Sequence, residues 1–131
     1  MHETILIVDD DRAIAQLASM WVGGAGYNPV TAFDGNSGLA AAAAHHPRLI
    51  LLDIRMPDLD GFEVNRRLKK TPDLGEIPVI FLSANAQEAA RRQAVAAGAR
   101  FFLSKPWEPK DLLGAVRAAL GNEQPEAIGV A

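Results

Sequence analysis

The chain has 131 residues, 49% of them hydrophobic and 22% charged, with a formal net charge of −3 and no cysteine. That length buries one real core without staples, and the lack of thiols excludes disulfides, thiolate zinc sites and cysteine nucleophiles. No apolar run approaches the ~20 residues of a membrane helix, no signal peptide opens the chain, and the charge balance leaves no footprint for nucleic acid, so a cytoplasmic protein without direct membrane or nucleic-acid contact is expected.

Strand-like and helical segments then alternate. The first strand is "ETILIVD" (3–9), an apolar run that meets three acidic residues, Asp9, Asp10 and Asp11. Two unit charges about 4 Å apart repel by about 4 kcal/mol at an effective dielectric near 20, so such a cluster must be neutralised or used. A helix follows in which Ile14, Leu17, Ala18 and Trp21 form one apolar stripe. "YNPVTAF" (27–33) is the second strand, and Pro29, unable to donate to a ladder, marks it as an edge. "DGNSGLAAAAAHHP" opens on turn residues, continues as an alanine helix and stops at Pro47, with His45 and His46 at the negative end of the helix dipole.

The remaining strands are "RLILLD" (48–53), "PVIFLSA" (78–84) and "RFFLS" (100–104). The first of these is continuously apolar, as a strand buried on both faces should be. A helical stretch separates each pair. The fourth, "AQEAARRQAVAAGA", carries the pair Arg91–Arg92, either a basic patch for an acidic partner or a solvated face. A fifth helix places Leu112, Leu113, Val116 and Leu120 on one stripe. One domain over 1–121 is expected, with 122–131 as a flexible tail or the start of a linker.

Strict βα alternation implies an α/β, flavodoxin-like (βα)5 doubly wound sandwich: a parallel five-stranded sheet in the order 2-1-3-4-5 with helices on both faces. That order sets the first and third strands side by side, and their carboxyl ends form the crevice where such sheets bind ligands. Asp9 and Asp10 end the first strand and Asp53 the third, so three carboxylates converge there. Such a set suits a hard divalent cation; magnesium favours one or two carboxylates, several waters and a phosphate oxygen. Asp11 need not join, because an acidic residue entering a helix is favourable by itself. Ser83 and Lys105, ending the fourth strand and following the fifth, reach the same crevice. A hydroxyl and an ammonium beside a metal and a carboxylate make a phosphoryl-binding set.

The segments "ILIVDDD", "LLDIRMPDLDG", "PVIFLSA" and "GARFFLSKPW", in this order within residues 4–120, resemble those of two-component response-regulator receiver domains, of the chemotaxis-regulator-like, stand-alone kind. The resemblance implies that Asp53 is the phosphoacceptor, taking its phosphoryl group from a histidine kinase or a histidine phosphotransfer protein. It implies a Mg2+ site at Asp9, Asp10, Asp53 and the backbone carbonyl of Arg55, with Asp10 a direct ligand and Asp9 acting mainly through a metal-bound water. Ser83 would hydrogen-bond the phosphoryl oxygens and Lys105 would pair with them, with a cis peptide between Lys105 and Pro106. On phosphorylation Ser83 would move inward and Phe102 fill the vacated space, signalling by packing alone because Phe102 has no hydroxyl.

By the same resemblance, the fourth helix, fifth strand and fifth helix present a face to a downstream protein, as a monomer or a phosphorylation-dependent dimer. Arg55 and Asn85 flank the phosphoryl site and are expected to tune the access of water. Trp107 stands where the family more often has a smaller apolar residue or phenylalanine, either as an exposed contact or packed on the last helix. The chain would catalyse only its own phosphoryl transfer and autodephosphorylation. Because the chain begins almost directly at the first strand, a further domain is expected on the C-terminal side rather than on the N-terminal one.

Other classes fit less well. A magnesium-dependent phosphohydrolase with an aspartyl nucleophile often has a second aspartate two residues on, where this chain has Arg55. A flavin carrier of this fold needs a Ser/Thr/Gly phosphate loop where three carboxylates stand. A receiver that acts by docking without phosphorylation would not need so complete a site.

Overall fold

A computed structural model describes residues 3–83, 96, 101–104 and 107–121. Five strands, β1 (Thr4–Val8), β2 (Asn28–Ala32), β3 (Leu49–Asp53), β4 (Val79–Ser83) and β5 (Phe101–Ser104), each fall within the segment expected for it. They form one sheet in the order β2-β1-β3-β4-β5, with every neighbouring pair parallel. The helices among the described residues are α1 (Arg12–Gly24), α2 (Gly35–His45), α3 (Gly61–Lys70) and α4 (Pro109–Ala119). Here α4 is the last of the five helical stretches in the sequence. The preceding stretch, with Arg91 and Arg92, lies outside the described residues apart from residue 96, and the segment 122–131 lies outside them entirely.

The two-residue period of the strands divides the core into two layers. Ile5, Ile7, Leu49, Leu51, Ile80, Leu82 and Leu103 pack with Ala15, Ala18 and Val22 of α1 and Leu112, Ala115 and Val116 of α4. The alternate residues Leu6, Val8, Ile50, Leu52, Val79, Phe81 and Phe102 pack with Ala42 of α2 and Val64 and Leu68 of α3. Helices thus cover both faces, and every residue of β3 and β4 is buried. Pro29 sits on the outermost strand, where its missing N–H costs no ladder bond on the open side.

One side-chain expectation fails. The face that α1 buries is Ala15, Ala18 and Val22, with Ile14 and Trp21 partly covered, whereas Leu17 is 38% exposed. Small alanines let α1 approach the sheet closely, and adjacent residues on a helix point about 100° apart, so Leu17 turns to solvent. Trp107, left open between surface and core, is buried, and its ring meets Trp21 of α1 edge-on at 5.5 Å between centroids.

Aspartates begin the first three helices. Asp11 accepts from the N–H groups of Ala13 (3.0 Å) and Ile14 (3.2 Å), as an N-cap should. Asp60 accepts from Glu63 N–H at 2.9 Å to start α3. The start of α2 is served by two carboxylates. Asp34 takes the Ser37 N–H (2.7 Å), while Asp58, from the loop between β3 and α3, takes the Gly35 N–H (2.9 Å) and the Asn36 N–H (2.8 Å). The Asn36 side-chain amide adds a third bond to Asp58 at 2.9 Å. At its other end α2 stops at His46, which adopts the left-handed conformation (φ 47°) just before Pro47.

The N–H groups of Asn36 and Gly35 hold the Asp58 carboxyl down from 3.8 to about 2. A group whose folded value lies below its unfolded one contributes stability above the unfolded value and loses it as the pH falls through the folded one. Urea melts followed by circular dichroism should therefore show a shallower loss of stability from about pH 4 to about pH 2 for Asp58→Asn than for the parent chain. Parallel pH profiles would contradict this account of Asp58.

Candidate functional site

The sheet brings its acidic residues together by register. Val8 of β1 lies opposite Leu52 of β3, so Asp9, one residue beyond Val8, and Asp53, one beyond Leu52, leave the sheet side by side. Asp9 is still tied to the edge strand through its N–H to the Ala32 carbonyl (3.1 Å). Its carboxylate accepts from the Asp11 N–H at 3.0 Å, which fixes the turn that leads into α1. Asp9 is 0% exposed and Asp53 5%, whereas Asp10 faces solvent at the crevice mouth. The three offer carboxylate oxygens all within 4.8 Å of one another, the one such acidic group among the described residues.

Charges this close, two of them buried, are poorly screened by water, and their repulsion raises the cost of the folded state. The donors are all hard oxygens, and the exposed Asp10 leaves a side open to water. That set fits a hard divalent cation with retained waters.

Other expected residues fall around this group. Ser83 closes β4, is 4% exposed, and lies one residue past Leu82, the partner of Asp53. Phe102 is buried against the α2–α3 face of the sheet, in register with Phe81. Arg55 is exposed in the loop after β3 and lines, with Asp10, Met56 and Phe62, an open cleft beside the carboxylates. Lys105, Pro106 and the peptide between them lie outside the described residues, as does Asn85. Asp11 separates from its neighbours: its carboxylate is spent on the α1 cap.

Two residues without an expected role shape the site. Gly61 N–H donates to the Ile54 carbonyl at 2.7 Å, closing the loop that follows Asp53. A Cβ on Gly61 would run into the Asp53 carbonyl oxygen and lie 3.0 Å from Ile54 Cα, so only glycine lets α3 begin there. Asp58 is the second, through its bonds to α2. Both stand in "LLDIRMPDLDG", but their partners are set by the fold. The one usable hint was the spacing Asp60–Gly61, a helix cap followed by a residue without a side chain.

Comparison with known proteins agrees with this geometry. Residues 5–117 match the family model described as the response regulator receiver domain. The chain is 41% identical over 116 residues to a protein of Synechocystis described as the DNA-binding dual master transcriptional regulator RpaA, covering 88% of this chain and 48% of that protein. It is 37% identical over 126 residues to the response regulator MprA of Mycobacterium bovis, covering 96% of this chain and 54% of that one. The chain thus spans about half the length of the curated relatives it matches. Among solved structures, the chemotaxis protein CheY4 of Vibrio cholerae superposes with a TM-score of 0.86 at 29% identity, over 91% of this chain and 99% of that one. A response regulator described as putative from Chloroflexus aurantiacus gives 0.88 at 30% identity, over 92% and 99%. With a DNA-binding regulator among the relatives, the expectation of no nucleic-acid contact draws no support from them.

The tight approach at Gly61 yields a direct test. Gly61→Ala should destabilise the chain by roughly 1–3 kcal/mol, the usual cost of forcing extra volume into a packed place, read as a lower urea midpoint. An unchanged midpoint would mean that α3 does not press on the Asp53 carbonyl as described.

Proposed function

This chain belongs to the response-regulator receiver family, and we propose that it works there as a magnesium-dependent switch thrown by phosphorylation of Asp53. One observation carries the reading: a buried carboxylate at the end of β3 shares a crevice with two further carboxylates at the end of β1, all within 4.8 Å. The donor is a histidine kinase or a histidine phosphotransfer protein. An oxygen of Asp53 bonds to phosphorus as the donor's N–P bond breaks, and the electron pair returns to the leaving imidazole.

In this reading Asp10, Asp53 and the Arg55 backbone carbonyl hold magnesium directly, and Asp9 acts through a bound water. The solvent-facing place of Asp10, and the bond that Asp9 already accepts from Asp11, support that division. The ion, when bound, supplies charge neutralisation to the phosphoryl oxygens. Ser83 donates its hydroxyl to the same group, and Lys105 supplies an ammonium. Arg55 and Asn85, flanking the site, tune how fast water reaches the acyl phosphate and hydrolyses it.

The signal leaves by repacking. As Ser83 turns toward the phosphoryl group, Phe102 occupies the space it leaves, and the face formed by the fourth helical stretch, β5 and α4 changes its fit to a downstream protein. We assign the receiver unit to 1–121, with 122–131 as tail or linker, and place it in the cytoplasm. No helix among the described residues is long and apolar enough to cross a membrane. DNA contact, in whole proteins like the Synechocystis relative, we assign to the part this chain does not span, since a net charge of −3 offers phosphates no attraction.

The deciding experiment is incubation with magnesium and acetyl phosphate, followed by intact-mass analysis. The parent chain should gain one phosphoryl mass and Asp53→Asn none. Asp10→Ala should abolish the magnesium dependence. Asp11→Ala should label almost normally while losing about 1 kcal/mol of stability with its cap. An unlabelled parent chain across several small donors would count heavily against this reading. Equal labelling of Asp53→Asn would move the acceptor elsewhere.

A further inference from the structure

Helix α2 takes carboxylates from two segments at its start. Asp34 serves as its N-cap through the Ser37 N–H, and Asn36 and Ser37 are exposed, whereas Gly35 is buried and its N–H needs a partner in the protein. Asp58 nevertheless reaches across from the β3–α3 loop and uses both carboxylate oxygens there, in three bonds of 2.8 to 2.9 Å. The surfaces also interlock beside this grip: a Cβ on Gly35 would meet Leu59 Cβ at 2.7 Å. The contact serves both ends: it pairs the buried Gly35 N–H of α2 and it anchors the loop.

That loop is anchored at its base by two backbone bonds, Ile54 N–H to the Leu82 carbonyl (3.1 Å) and Gly61 N–H to the Ile54 carbonyl (2.7 Å). Asp58 fastens its far side to α2. Between Asp58 and Arg55 lie only Met56 and Pro57; the proline ring fixes its own φ and restricts the residue before it. This stretch is therefore stiff, and a displacement at Asp58 is passed to Arg55 instead of being absorbed.

We propose that Asp58 is a positioning residue for the cation site: by clasping the first turn of α2, it holds the Arg55 backbone carbonyl in reach of the ion between Asp10 and Asp53. The inference rests on the receiver reading, in which that carbonyl is a ligand. Asp58 itself touches neither ion nor phosphoryl group.

Calorimetric titration of the full chain with magnesium chloride tests this. Asp58→Ala should weaken magnesium about tenfold, the low end of what loss of an outer-shell partner costs. The control is Asp34→Ala, which removes the other cap of the same helix without touching the loop. It should lower the melting temperature about as much as Asp58→Ala yet leave magnesium affinity within about twofold of the parent. Asp58→Asn, which keeps one acceptor oxygen of two, should fall between. Asp58→Ala binding magnesium like the parent would overturn the inference while leaving the receiver reading intact, provided Asp10→Ala has lost binding. Equal weakening by Asp34→Ala would also overturn it, because any damage to α2 would then suffice. A parent chain that takes up no magnesium overturns the cation site and this inference with it.

Discussion

Like charges held together against their repulsion are the constraint around which this chain is organised. Asp9 and Asp53 are buried and lie within 4.8 Å of each other and of Asp10. Their like charge does not favour that closeness. It is imposed by the parallel register of β1 and β3, and that register is held by apolar burial along β3 up to Asp53 and along nearly all of β1. The hydrophobic energy of the sheet is thus what keeps the acidic group assembled.

Around that group the local chemistry divides three neighbouring aspartates into different roles. Asp11 is consumed by a helix cap, Asp9 is braced by the Asp11 N–H, and Asp10 is left facing water. The opposite wall depends on a missing side chain, since Gly61 lets α3 start against the Asp53 carbonyl. The crevice is therefore rigid on the β1 side through hydrogen bonds and on the β3 side through steric contact.

Much of this was legible in the residues. Apolar runs of four or five with helical spacing between them give the strands, Pro29 gives the edge, and together they give the sheet order and hence the meeting of Asp9, Asp10 and Asp53. These are local signals, and the sheet carries them over long distances by a simple rule. What escaped was set by packing between elements. Leu17 looked apolar enough for the core, but the small residues Ala15 and Ala18 decide how closely and at what rotation α1 sits. Asp58 reads as a loop residue until its partners, Gly35 and Asn36, are known, and they lie 23 and 22 positions away.

The contact between Trp21 and Trp107 has an optical consequence. These are the only two indoles in the chain, and they meet at 5.5 Å with their planes 71° apart. Rings this close share excitation, so the tryptophan emission of the whole protein originates in one joint between α1 and the segment just after Lys105 and Pro106. The molecule carries, without any label, a fluorophore pair whose spectrum belongs to a single place in the fold.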